Sequence, residues 1–175
     1  MTKPSRLSRY PGIRSFERAE QALFFGRNRE LAALFDAVKV KPLTVLFAKS
    51  GIGKTSLLNA GLLPMLEQNG FLPVSVRLQD TGISPVETLK KVLQPYLNPA
   101  KLERFGRAPY SLWEYVRACE FSTPTLSSEP SPTPNLVLVF DQFEELFSHD
   151  RPQRDELTTA LADLLNERLP DLIRQ

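Results

Sequence analysis

Residues 48–55 read AKSGIGKT, and this short stretch restricts the possible folds of the chain more than any other. Gly51 and Gly53 can adopt backbone conformations that point consecutive N–H groups into one concave surface, where an anion binds. Such a loop binds phosphate when a buried strand precedes it and a helix follows it, because the positive end of the helix then faces the anion. The stretch therefore predicts an α/β fold with a phosphate-binding loop at a strand-to-helix junction.

One residue of this loop departs from the usual pattern of Gly, four residues, Gly, Lys and then Ser or Thr. Ala48 stands at the first glycine position, which marks the turn out of the strand and does not wrap the phosphate closely. We therefore interpret it as a tolerated variation. Lys54 is expected to reach the β and γ phosphates, and Thr55 to bind Mg²⁺. The candidate nucleotide-binding residues of the loop are Ala48, Lys49, Ser50, Gly51, Ile52, Gly53, Lys54, Thr55 and Ser56.

Three apolar segments predict the strands of a sheet. They are PLTVLFA at 42–48, FLPVSVRL at 71–78 and NLVLVF at 135–140. The first is expected to be a short buried strand, and the last is continuous enough to predict burial on both faces. Strands that alternate with helices favour a three-layer α/β fold with a parallel sheet, and the phosphate loop makes this a fold of the P-loop NTPase type.

Apolar residues at helical spacing predict five helices. The expected helices begin at about Asn28, run from Gly53 to about Gln68 with a break or kink near Pro64, and lie within 84–97, within 110–121 and from about Gln153 to Arg168. The chain of 175 residues fits one well-buried domain. We expect a basic N-terminal arm over 1–20, the NTPase domain over 21–175, and a Pro- and Ser-rich surface insert at 122–135.

A second acid is needed near the phosphate loop, because Mg²⁺ is held there through a carboxylate at the end of a neighbouring buried strand. Asp141 directly follows the segment NLVLVF and is the candidate metal residue alongside Thr55. Glu144 is the first candidate to orient or deprotonate the attacking water, and Glu145 is the competing one. The alternative for both glutamates is an acidic first turn that stabilises a helix.

Charge and cysteine content restrict the setting of the protein. The net charge is only +2, which gives no reason to expect a general nucleic-acid or membrane surface. No apolar run approaches the roughly 20 residues that span a bilayer. With a single cysteine, Cys119, and no signal segment, we expect a cytoplasmic protein in which this thiol is buried. His149 is the only histidine and is expected to be exposed.

Three ordered segments together resemble a known family. YPGIRSFERAEQALFFGRNREL, AKSGIGKTSLLNAGLLP and LVLVFDQFEELF resemble the novel STAND NTPase domain, a branch of the signal-transduction ATPases related to NACHT and AP-ATPase switches. The resemblance extends from about Tyr10 to Ser148. It implies ATP or ADP with Mg²⁺ as cofactors, Asp141 as the Walker B acid, and Phe25, Gly26 and Arg27 as contacts on the base side of the nucleotide.

The resemblance also implies a function, namely an Mg²⁺-dependent ATP-binding switch whose nucleotide state controls self-association and signalling. No sensor strand, lid or sensing repeat follows Asp141, so we expect the chain to be the front part of a larger protein or a truncated one. ATP hydrolysis is expected of that larger protein rather than of this chain alone. Two alternatives stay open: a catalytically inactive nucleotide-binding or scaffolding module, and a P-loop small-molecule kinase. GTPase activity is less favoured because the Asn-Lys-x-Asp signature is absent from the sequence.

Overall fold

The computed structural model describes residues 14–79, 82–106, 108–120 and 135–166. These residues fall into two compact units that divide between Phe71 and Leu72. Most of the expected basic arm lies outside the described residues, as does the Pro- and Ser-rich insert apart from Asn135. Within the described ranges, no helix has both the length and the apolar content to cross a membrane.

The first unit is built from helices. A 3₁₀ turn at Arg18–Leu23 precedes helix α1 at Asn28–Val40, which begins at the predicted residue. A continuous helix, α2, then covers residues 54–68 and confirms the helix predicted after the loop. It consists of an α segment at Lys54–Ser56, a π segment at Leu57–Leu62 and an α segment at Leu63–Gln68.

The middle of α2 is packed closely against the elements before it. A Cβ atom on Gly61 would lie 3.1 Å from Cδ1 of Leu31 in α1, so only glycine fits there without a shift of that side chain. The helix continues past Pro64 to Gln68, so of the predicted break or kink the break is wrong. The irregularity is instead the preceding π segment, where the N–H of Leu63 bonds to the carbonyl of Leu58.

Residues 42–48 do not form the predicted buried strand. Leu43, Val45 and Phe47 are 62%, 79% and 93% exposed. Among the described residues, the sheet contains two strands and this segment is not one of them. An apolar run shows that a segment can be a strand, but burial requires a neighbouring strand and a packed face, which the run itself does not specify.

The second unit contains the sheet. Strand β1 at Phe71–Val76 pairs in parallel with β2 at Asn135–Phe140, so two of the three predicted strands are confirmed and the fold is α/β. β2 is half-buried along most of its length, so the predicted burial on both faces is wrong. Its side chains at Leu136, Leu138 and Phe140 pack against the core of this unit.

Four α-helices contribute to this unit, and a polar side chain caps the start of each: Ser84, Asn98, Ser111 and Asp150. The hydroxyl of Ser84 accepts a hydrogen bond from the N–H of Glu87, and Ser111 forms a capping box with Glu114. These bonds satisfy backbone N–H groups of the first helical turn that would otherwise need water. A 3₁₀ turn, Gln94–Tyr96, follows the first of these helices. The α-helices of the second unit are α3 at Pro85–Leu93, α4 at Pro99–Glu103, α5 at Leu112–Ala118 and α6 at Arg151–Leu165.

The core of the second unit is formed mainly by leucines, among them Leu78, Leu89, Leu93 and Leu157. Cys119 belongs to this core, as predicted from the sequence, and burial raises the pKa of its thiol to about 11. The core therefore packs β1, β2 and the helices of the second unit together, and Asp141 follows directly after β2.

Candidate functional site

The phosphate loop has the backbone conformation that its glycines predict. Gly51 and Gly53 have φ angles of +79° and +83°, in the left-handed region that other residues rarely adopt. No atom lies within 4 Å of a Cβ built on either residue, so glycine is needed there for its backbone conformation and not for space. Gly53 also precedes the first residue of α2 and so places the loop at the N-terminal end of that helix.

Lys54 folds back across the loop. Its Nζ donates to the carbonyl of Ala48 at 2.9 Å and lies 3.4 Å from the carbonyl of Lys49. Ala48 thus contributes a backbone oxygen, which alanine supplies as well as glycine does. Lys54 and Thr55 are half-buried, whereas Lys49, Ser50 and Ile52 are exposed.

Ser56, the last candidate residue of the loop, makes a side-chain hydrogen bond to another part of the first unit. Its hydroxyl accepts from the backbone N–H of Phe16 at 3.1 Å. This bond ties the start of α2 to the segment before α1. The structure therefore gives Ser56 a positioning contact in addition to its predicted place in the nucleotide-binding loop.

The FFGR element lies against the phosphate loop. Arg27 donates from Nη1 to the carbonyl of Ile52 at 3.1 Å and from Nε to Glu30 at 2.8 Å. Gly26 has a φ angle of +86°, and the ring of Phe25 is 77% exposed. The structure thus brings Arg27 to the loop and leaves the aromatic face of Phe25 accessible, as a residue that contacts a base requires.

An ion pair between the buried Glu20 and the exposed Arg14 fixes the segment before α1, and sequence reasoning missed it. Glu20 is 4% exposed and accepts from Arg14 and from the backbone N–H of Glu17, each at 2.8 Å. The hydrogen bond from Arg14 lowers the pKa of Glu20 to about 2, and the bond from Glu17 acts in the same direction. The signal in the sequence was Glu20 three residues after Glu17, the spacing of a capping box.

Asp141 lies where β2 ends, beside the end of β1. Its backbone N–H donates to the carbonyl of Val76 at 3.3 Å, so the two strand ends are joined directly. The carboxylate is 16% exposed, and its Oδ2 lies 3.5 Å from Nη2 of Arg77. This location at a strand end is the one that the sequence predicted for the metal-binding acid.

The chain turns sharply after Asp141. Gln142 has φ 59° and ψ 49°, a left-handed conformation that costs a residue other than glycine about 1 kcal/mol or more. The turn leads into a 3₁₀ segment, Phe143–Ser148, and the N–H of Glu145 bonds to the carbonyl of Gln142 at 2.9 Å. The left-handed conformation of Gln142 therefore turns the chain from β2 into the segment that carries the two glutamates.

Glu144 and Glu145, the two candidates for catalysis, lie in different environments. Glu144 is exposed, whereas Glu145 is half-buried. Oε2 of Glu145 is fully buried and has no hydrogen-bond partner among the described residues. An unpaired buried carboxylate oxygen is destabilising, and a water molecule that it holds would remove that cost.

His149 is buried, so the prediction that it is exposed is wrong. It is 5% exposed, and its Nε2 lies 2.7 Å from the carbonyl of Leu78. Its Nδ1 lies 3.3 Å from Oε1 of Gln153 in α6. The histidine therefore connects the end of the segment that carries the glutamates to the chain that follows β1. A lone histidine in a polar stretch gives no sequence signal for such a contact.

The side-chain chemistry fits Mg²⁺ bound with a nucleotide. Within the part of the chain that the structure describes, no group of three His, Cys, Asp or Glu side chains is placed to hold a metal ion alone. Mg²⁺ at a phosphate loop does not need such a group, since one hydroxyl, one carboxylate, water and phosphate oxygens suffice. Thr55 offers a hydroxyl of this kind in the first unit, and Asp141 offers a carboxylate of this kind in the second.

Comparison with known proteins gives one match. A family model described as Novel STAND NTPase 1 matches residues 10–173, which include the FFGR element, the phosphate loop and the acidic strand end. Neither a curated protein nor a solved structure matches the chain.

Proposed function

Because the chain belongs to the Novel STAND NTPase 1 family, we propose that it binds ATP or ADP with Mg²⁺ and acts as a nucleotide-dependent signalling switch. The conformation of the phosphate loop is the observation that carries this proposal. Gly51 and Gly53 already have the left-handed conformation that turns backbone N–H groups toward an anion, and α2 follows directly.

Lys54 is proposed to exchange its contacts when phosphate binds. Its ammonium now bonds to neutral carbonyl oxygens of Ala48 and Lys49. Phosphate oxygens carry a full negative charge, so a bond from the ammonium to them adds an attraction between opposite charges that a neutral carbonyl oxygen does not offer. Bonds from the lysine to nucleotide phosphates are therefore favoured over its bonds to the loop carbonyls.

Thr55 and Asp141 would hold the magnesium ion, through the hydroxyl and the carboxylate respectively. Bound there, Mg²⁺ would neutralise part of the negative charge on the terminal phosphates. On the base side, Phe25 offers an exposed ring, and the bond from Arg27 to Ile52 fixes the FFGR element to the loop.

Glu145 is proposed as the residue that orients the attacking water, in preference to Glu144. The unpaired, buried Oε2 of Glu145 supports this choice, because a carboxylate held in place without a protein partner can accept from a water. Glu144 is exposed and makes a matched control. The finer architecture, a three-layer P-loop fold, remains part of the proposal and is supported by the parallel pair β1 and β2.

The test of binding is a calorimetric titration with ATP and with ADP, with and without Mg²⁺, for the wild type, Thr55→Ala and Asp141→Asn. We expect Mg²⁺ to strengthen nucleotide binding to the wild type. In both variants this strengthening should be lost. Binding without the metal should persist in both, because both variants keep Gly51, Gly53 and Lys54. Equal strengthening by Mg²⁺ in all three proteins would contradict the assignment of the metal residues.

The test of catalysis is single-turnover ATP hydrolysis by Glu145→Gln and Glu144→Gln. We expect Glu145→Gln to be slower by about a hundredfold or more with ATP binding retained, and Glu144→Gln to stay within about threefold of the wild type. The reverse order would assign the role to Glu144. If the wild type binds ATP without hydrolysing it, the chain is a binding module and the catalytic part of the proposal fails.

The switch function is proposed to act through self-association. Sedimentation of the chain with ATP and with ADP tests it, and Lys54→Ala is the control that should respond to neither nucleotide. An identical sedimentation coefficient in both nucleotides would contradict control of assembly by the nucleotide state.

A further inference from the structure

Arg77 lies beside the proposed metal-binding acid, although no sequence motif drew attention to it. Arg77 follows the last residue of β1, and Asp141 follows the last residue of β2. Nη2 of Arg77 lies 3.5 Å from Oδ2 of Asp141. The bond from the Asp141 N–H to Val76 holds the two residues side by side. Their proximity therefore follows from the strand pairing.

Two cations would compete for one carboxylate at this position. One is the positively charged guanidinium of Arg77. Asp141 is 16% exposed, so its charge is less screened by water than that of a surface carboxylate. A magnesium ion that uses Asp141, directly or through water, meets the positive charge of Arg77 at short range.

We propose that Arg77 is a built-in counter-cation of Asp141 and sets the Mg²⁺ concentration at which the nucleotide site loads. This inference rests on the proposed function, since it takes Asp141 as the metal-binding acid. Without metal, Arg77 neutralises the carboxylate at the end of the sheet. Loading of Mg²⁺ weakens the pair, so a neutral residue at position 77 lowers the amount of Mg²⁺ that loading requires.

The opposite role for Arg77 has the opposite signature. If the guanidinium instead helped to hold nucleotide phosphates, its removal would weaken nucleotide binding and would not lower the Mg²⁺ requirement. The sign of the change in Arg77→Gln therefore separates the two roles.

The experiment is a Mg²⁺ titration at a fixed concentration of a fluorescent ADP analogue. We expect the half-saturating Mg²⁺ concentration to fall by about two- to fivefold in Arg77→Gln. Arg77→Lys keeps the charge and should stay within about twofold of the wild type. The nucleotide affinity of Arg77→Gln without metal should not fall. An unchanged or higher Mg²⁺ requirement in Arg77→Gln would overturn the proposal.

Arg151→Gln is the matched control. Arg151 lies 3.6 Å from Asp155 within α6, so this variant removes the same charge and an ion pair of similar length that involves no proposed ligand. The Mg²⁺ requirement of Arg151→Gln should equal that of the wild type. A decrease as large as that of Arg77→Gln would show a general effect of net charge and would overturn the specific role.

A second measurement needs no nucleotide. Mn²⁺ added to the nucleotide-free chain should broaden the backbone amide signal of Asp141 in NMR spectra, and at a lower Mn²⁺ concentration in Arg77→Gln than in the wild type. Equal broadening in the two proteins would overturn the proposal. If the wild type binds no nucleotide, the proposed function fails, and this measurement still decides whether Arg77 competes with a cation.

Discussion

The phosphate loop is held by contacts that span 6, 25 and 40 residues of sequence, whereas the acidic strand end is held by contacts that span 64 and 71. Lys54 and its acceptor Ala48 are 6 residues apart. Arg77 and Asp141 are 64 residues apart, and His149 and Leu78 are 71 apart. The loop therefore depends on its own glycines and on bonds from Phe16 and Arg27, and the acidic end depends on strand pairing and on one buried histidine.

This difference predicts how each region responds to mutation. A substitution in the loop should change nucleotide binding more than the stability of the fold. A substitution at the long-range contacts of the acidic end should destabilise the second unit, because the same contacts hold the core elements together.

His149→Ala should have the largest effect on stability. It removes the ring that contacts the buried carbonyl of Leu78, and an unpaired buried group typically costs about 1–3 kcal/mol. The free energy of unfolding, measured by urea denaturation, should fall by that amount. Gln153→Ala, which removes only the longer contact to Nδ1, should cost less. Equal losses in the two variants would contradict the role given to the Leu78 contact.

Gly53→Ala tests the local character of the loop. A Cβ at a φ angle of +83° is strained by about 1–2 kcal/mol, although no atom blocks it. We expect weaker nucleotide binding in calorimetry together with a modest loss of stability. Ala48→Gly is the control, and its nucleotide affinity should stay within about twofold of the wild type. A larger change in Ala48→Gly than in Gly53→Ala would show that the first loop position matters more than the structure indicates.

Gln142→Gly should be a small stabilising change at the acidic end. Glycine relieves the left-handed strain at this position, and its greater freedom in the unfolded chain offsets part of the gain. The expected net gain is about 0.5 kcal/mol in urea denaturation. A loss of stability would mean that the side chain of Gln142 contributes more than the backbone strain costs.

Glu20→Gln tests a contact of the first unit through the pH dependence of the stability difference between the wild type and the variant. In the folded chain the pKa of Glu20 lies at about 2, below its ordinary value of 4.5, chiefly because Arg14 donates to it. The pair therefore stabilises the fold above about pH 4.5, and this contribution is lost as the pH falls through 2. The difference in Tm between wild type and variant should shrink over this range. A constant difference would contradict the assigned pair.

The sequence was sufficient where local pattern decides the structure. The glycine spacing predicted the loop, and the apolar period predicted α1, α2 and the helix within 84–97 that the structure shows as α3. Two parallel strands followed from their apolar runs. In each case the residues that form the element also contain the information that specifies it.

The sequence was insufficient where the neighbour decides the structure. Phe47 lies in an apolar run and is nevertheless exposed, because no described strand pairs with that run. His149 lies in a polar stretch and is nevertheless buried, because its Nε2 lies 2.7 Å from the carbonyl of Leu78, which accepts a hydrogen bond from the ring N–H. Arg77 and Asp141 meet only because β1 and β2 pair. No periodicity reports such contacts.

The most direct measurement is calorimetric titration of the wild-type chain and of Lys54→Ala with ATP and ADP in the presence of Mg²⁺. We predict saturable binding to the wild type and a loss of about tenfold or more in affinity for Lys54→Ala, since a hydrogen bond from a charged donor is removed. Equal affinity in the two proteins, or no binding to either, would contradict the claim that AKSGIGKT is a working phosphate loop in this chain.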